Sequence, residues 1–169
     1  MPKQYTSQLE QLASQGYVVG VNPTYETPVG LPDGRVITQS TVFDFTYVDK
    51  PTENRTFEQA IAIRAKDISF VLNELHQIDK KDPQGRFSSR MNLNQVGIFG
   101  HFLGGDTAVE VMRRDRRFQA GINMDGGSFG ELFGNKRKDS LNRPFMLMSQ
   151  ESRDPALRSF ISKAEQRCL

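Results

Sequence analysis

Cysteine is almost missing from this chain. Of 169 residues only Cys168 is one, which excludes an internal disulfide framework and any multi-cysteine metal knuckle. Long apolar runs are missing too. The longest are short, such as those at 17–19 and 98–99, whereas a spanning helix needs about 20 apolar residues. Met1-Pro2-Lys3-Gln4-Tyr5 has no apolar core of a secretory leader, so a cytoplasmic location is the default expectation. No charge of one sign prevails: 22 Lys+Arg stand against 20 Asp+Glu, a net +2. Each basic cluster, Lys80-Lys81, Arg113 to Arg117 and Lys136 to Lys138, is bordered or interrupted by aspartate. A nucleic-acid groove needs a larger positive excess interleaved with stacking aromatics, so no nucleic-acid partner is expected.

What is present is a foldable core. Hydrophobic residues are 37% and charged residues 25%, too apolar for disorder and too polar for a membrane protein. The length suits one domain over 1–169. Tyr5, Leu9, Leu12 and Ala13 form a helical stripe that stops at Gly16, with Ser7 and Glu10 spaced as a capping box unless the helix begins a turn earlier. Tyr17 to Val21 follows as an unbroken apolar run, the pattern of a strand buried on both faces. Pro32-Asp33-Gly34 signals a hairpin between Val29–Leu31 and Arg35–Ile37. Thr41 to Val48 reads as a further strand. A long amphipathic helix is expected from about Thr56 to Ile78, carrying Phe57, Ile61, Ala65, Ile68, Leu72 and Leu75.

The second half repeats the alternation. Val96–Phe99, Phe118–Met124 and Pro144–Met148 read as strands; Ala108, Val111 and Met112 mark one helix, and Leu157, Phe160, Ile161 and Ala164 another. Four apolar strands alternating with helices predict an α/β fold with a mostly parallel sheet flanked by helices. Its site is expected beyond the carboxyl ends of the strands.

A glycine cluster, Gly97-Ile98-Phe99-Gly100-His101-Phe102-Leu103-Gly104-Gly105, lies between a strand and a helix. Its spacing does not fit a dinucleotide fingerprint. A P-loop fails as well, because Asp106 stands where a lysine must neutralise phosphate. The third candidate is a nucleophile elbow, a tight strand-to-helix turn that lifts a serine above the sheet.

Val96 through Gly105 resembles the elbow of α/β-hydrolases. Leu12 to Val19, Pro32 to Val36, Arg64 to Leu72 and Phe118 to Gly126 resemble one branch of them, the platelet-activating-factor acetylhydrolase-like lipases and esterases. The resemblance implies a partial α/β-hydrolase core with a small hairpin excursion. It also implies hydrolysis of a carboxylic ester, such as a phospholipid acetyl or short acyl ester, without cofactor or metal. Phe102 stands where that family carries its nucleophilic serine, Asp125 matches its triad acid, and the Leu103 N–H matches an oxyanion donor. Ser128 reads as a loop hydroxyl and Asn22 to Glu26 as wall. His101 reads as turn packing and His76 as a surface residue.

The family's early strands and late histidine have no counterpart in these residues, so the chain is expected to be a non-catalytic remnant or fragment, incomplete at both ends. The alternatives are a protein that binds an apolar ligand or partner in the former ester pocket, and an active esterase in a longer parent with serine at 102. An exposed sheet edge is expected to favour self-association. If the elbow is kept, Phe102 must sit at positive φ.

Overall fold

The structure, a computed structural model, describes residues 5–22, 28–31, 33–38, 50–127 and 141–149, with backbone alone at 50–54. The chain divides into two compact units, 1–48 and 49–169.

In the first unit α1 spans Thr6–Ser14. It closes with a Schellman motif: Gly16 N–H donates to Ala13 O at 3.0 Å and Tyr17 N–H to Leu12 O at 3.2 Å. Gly16 supplies the φ of 90° that this closure requires. The helix begins at Tyr5 with no side-chain cap, so Ser7 and Glu10 do not form the expected capping box. The hairpin is present as β1, Val29–Gly30, and β2, Val36–Ile37. They pair antiparallel with Val29 opposite Ile37. Gly34 turns the chain at φ 84°, and Gly34 N–H donates to Leu31 O at 3.0 Å.

The segment Tyr17 to Val21 departs from expectation. It is not a strand, and Tyr17 and Val18 are exposed. The Tyr17 amide is taken by the helix closure. An unbroken apolar run makes a buried strand only where other strands pair with it, and none does among the described residues. The expected strand at Thr41–Val48 and the helix around Leu157–Ala164 lie outside the described residues.

The second unit holds the parallel sheet. Its α2 covers Lys50–Lys80, starting six residues before the expected Thr56. Pro51 does not break the helix, because in a first turn its missing N–H would have no intrahelical acceptor anyway. After α2 come β3, Val96–His101, α3, Leu103–Arg114, β4, Phe118–Met124, and β5, Phe145–Met148. The described sheet runs β3-β4-β5 and is parallel throughout, three strands where four were expected. One face is covered: Ala65 and Leu72 of α2, Val111 and Met112 of α3, and Phe118 form a buried cluster against Val96, Ile98 and Phe145. The alternating burial along β3 and β5 follows from the period-2 geometry of a strand.

The polar loop after α2 is held by carboxylates. Asp79 accepts from the Arg90 and Met91 N–H groups, and Asp82 from those of Gln84, Arg86 and Phe87. Among the described residues no helix is long and apolar enough to cross a membrane.

Candidate active site

The carboxyl ends of β3 and β4 carry the candidate residues. Phe102 is the single residue between β3 and α3, at φ 54° and ψ −124°. That is positive φ on a bulky side chain, a strained position. Its N–H donates to Met124 O of β4 at 2.9 Å. Its carbonyl accepts from Gly105 N–H at 2.8 Å and Asp106 N–H at 3.3 Å, opening α3. The chain therefore leaves the strand, turns on one residue and enters a helix. This is the backbone course of a nucleophile elbow. At its apex Phe102 is 47% exposed.

Glycine permits the turn by close packing. A Cβ on Gly100 would lie 2.2 Å from both the carbonyl carbon and oxygen of Gly104. A Cβ on Gly105 would lie 2.1 Å from Asn123 Oδ1, while one on Gly104 would meet nothing within 4 Å. So the first turn of α3 rests directly on the sheet at Gly100 and Asn123, which are register partners. Gly104 contributes its backbone to this contact and has room for a side chain.

Asp125 follows β4 directly, at φ 54°, which aspartate tolerates better than most residues. Its N–H donates to Met148 O of β5 at 2.6 Å. Since His101 is registered with Met124 and Met124 with Met148, Phe102 and Asp125 sit one step past the same sheet row. The structure thus brings these two together. Leu103 opens α3 with a buried side chain. Its N–H belongs to the first helical turn, where no intrahelical acceptor exists.

The two histidines are placed differently. His76 is on α2 one turn beyond Asn73, which meets Arg117 at the amino end of β4. That is the far end of the sheet from Phe102. His101 alternates with Gly100 on β3, so it projects from the face opposite α3. Ser128 and residues 23–26 lie outside the described residues. Among the described residues no group of three or more His, Cys, Asp or Glu is placed to hold a metal.

Two buried polar residues have a structural part that sequence reasoning does not assign, Asp106 serving there only to exclude a P-loop. Asp106 and Asn123 are both almost fully enclosed, and Asn123 Nδ2 donates to Asp106 Oδ1 at 3.3 Å. The signal in the sequence is an asparagine inside an apolar strand, two residues before Asp125.

A parallel sheet with a one-residue strand-to-helix turn at its carboxyl edge is the arrangement of an α/β-hydrolase core. The family model for platelet-activating factor acetylhydrolase, isoform II, matches residues 3–159, and the chain belongs to that family. The chain is 31% identical over 129 residues to a probable 1-alkyl-2-acetylglycerophosphocholine esterase from Arthroderma benhamiae. That match takes in 75% of this chain and 28% of the fungal protein. The fold is similar to the ferulic acid esterase from Streptomyces cinnamoneus, at 34% identity and a TM-score of 0.65. That likeness covers 95% of this chain and 42% of the esterase chain. The chain therefore spans less than half the length of either relative.

Proposed function

We propose that this chain carries an ester-hydrolase scaffold whose nucleophile position is silent. Phe102 takes the place of the nucleophile, Asp125 that of the triad acid, and the Leu103 N–H that of an oxyanion donor. The observation that carries this reading is the backbone at Phe102, φ 54° and ψ −124° between β3 and α3. A serine in that conformation would be lifted toward substrate. Phenylalanine has no lone pair to attack an ester carbonyl and no proton to pass to a base. Loss of such a nucleophile costs about a million-fold in turnover, roughly 8 kcal/mol of transition-state stabilisation. Asp125 does not replace it, because a carboxylate carries no proton to pass on and cannot by itself form the acyl-enzyme of a serine.

The ester class follows from the family. The names of the two relatives suggest an acetyl ester of an ether phospholipid or an aromatic acyl ester as the ancestral substrate. A second reading keeps the pocket for binding an apolar ligand or partner. It is favoured by the exposure of Phe102, a large apolar residue, at the carboxyl edge of the sheet.

The test compares hydrolysis of p-nitrophenyl acetate and butyrate by wild type, Phe102→Ser, and Phe102→Ser with Asp125→Asn. The wild type should not exceed a denatured control, and Phe102→Ser alone should restore little, because triad members act as a unit. Strong turnover from Phe102→Ser that vanishes with Asp125→Asn would reveal a working triad around a single lesion. Wild-type turnover would overturn the silent-site reading outright.

A further inference from the structure

Asn123 is the second-last residue of β4 and only 3% exposed. Register places it beside Gly100, beneath the first turn of α3. Its carboxamide works in two directions. Nδ2 donates to Oδ1 of Asp106, four residues past Phe102. Oδ1 accepts from Gly126 N–H at 2.7 Å, one residue past Asp125. A single side chain thereby joins the turn that carries Phe102 to the turn that carries Asp125.

The packing around it leaves no slack. A Cβ on Gly126 would fall 2.3 Å from Asn123 Oδ1, and one on Gly105 2.1 Å from it. Two backbones therefore close on the carboxamide from two sides. The chemistry is specific to asparagine. Leucine has a similar bulk but neither donor nor acceptor, and aspartate keeps the acceptor for Gly126 while setting a second carboxylate against Asp106. Asp125 lies between two fixed points: its own N–H on Met148 O and the Gly126 N–H on Asn123 Oδ1. Those bonds hold it at φ 54°.

We propose that Asn123 is the positioning residue for Asp125, fixing the backbone from which that carboxylate is presented and coupling it to the Phe102 turn. The assignment of a role to Asp125 rests on the silent-esterase reading above. The bond network does not depend on turnover, so it is tested on the chain as it is.

The experiment is residue-resolved amide exchange and backbone chemical shifts of wild type, Asn123→Ala and Asn123→Asp. In Asn123→Ala the Gly126 amide should lose protection by on the order of ten- to a hundred-fold, as expected for a buried hydrogen bond left unmade. The Asp125 shifts should leave the positive-φ range while the α2 amides keep their protection. Asn123→Asp, nearly equal in size, should retain Gly126 protection. It should melt lower at pH 7 than at pH 5, because acid protonates one of the two facing carboxyls and restores a donor. A purely space-filling role would give no such recovery. Unchanged Gly126 exchange in Asn123→Ala, or a pH-independent deficit in Asn123→Asp, overturns the proposal; the second variant decides if the first does not fold. Ester turnover by the wild type would overturn the reading of Phe102 and leave these exchange results standing.

Discussion

The two ends of α3 are built on opposite principles. At its start, Phe102 provides no side-chain cap, and the turn depends on bare backbone: Gly100 against Gly104, and Gly105 against Asn123. At its end the guanidinium of Arg143, just before β5, donates to the carbonyls of Met112, Asp115 and Phe118. A cation on the last carbonyls of a helix satisfies orphan acceptors and opposes the negative end of the dipole. Beside it Asp115 accepts from Arg117 Nη2 at 2.6 Å and Ser69 Oγ at 2.9 Å, while Arg117 Nη1 reaches Asn73 at 2.7 Å. Those bonds tie α2 to the α3–β4 junction. Strained torsions persist only where the surroundings over-determine them. At Phe102 those surroundings are its own bonds to Met124, Gly105 and Asp106 and the close glycine packing, whereas the quiet end is held by charge and side-chain bonds.

The contrast is broken most severely at the glycines. Gly100→Ala should cost about 3 kcal/mol or more, since its Cβ meets backbone that has nowhere to move. Gly104→Ala, in the first turn of α3 with open space around it, should be neutral or stabilising by about 0.5 kcal/mol. Urea unfolding of both variants measures the difference. Equal costs would mean that the motif's glycines act through chain flexibility and not through close packing.

The quiet end responds to acid. The Arg117 guanidinium bonded to Asp115 holds its carboxyl down at about 2, against an ordinary 3.8, with the Arg117 N–H and Ser69 adding to the effect and partial burial opposing it. Because the folded value is depressed, the contribution to stability is complete above pH 4 and is lost as pH falls through 2. Allowing for solvent screening, it is about 1 to 2 kcal/mol. Asp82 is lowered too, first by the Gln84 N–H, so it titrates in the same direction and must be subtracted. The gap in unfolding free energy between wild type and Asp115→Asn isolates the clamp. It should narrow from pH 5 to pH 2, and a constant gap would show that Asp115 acts by packing alone.

Much of this asymmetry was legible in the sequence on one side only. The strand–glycine–helix pattern at 96–112 marks the turn, and the positive φ at Phe102 follows from it. The helix stop at Gly16 and the hairpin at Gly34 are read from local chemistry, because a glycine at positive φ is a property of a few consecutive residues. The clamp is not local. Arg143 reaches Met112 across 31 positions and Arg117 reaches Asn73 across 44, and neither arginine differs in sequence from a surface one. Tyr17 to Val21 misleads for the same reason: apolar continuity shows what a strand needs, and pairing depends on residues elsewhere. Asn123 lay in view as a polar residue in an apolar strand, but its two partners are set by the fold.

The smallest effect concerns the strain itself. Phe102→Ala keeps a Cβ at φ 54°, whereas Phe102→Gly removes it, and both lose the same ring from a half-exposed residue. Their difference therefore reports the left-handed backbone with the ring's packing cancelled. A Cβ at φ 54° and ψ −124°, a sparsely populated conformation, costs roughly 1 to 3 kcal/mol. Glycine returns part of this because its unfolded chain has more freedom to lose. The glycine variant should thus exceed the alanine variant by about 0.5 to 1 kcal/mol in urea unfolding. A ranking reversed in favour of alanine would mean that the turn relaxes once the ring is gone. The positive φ would then be a consequence of the phenylalanine, and the elbow would not be a property of the backbone around it.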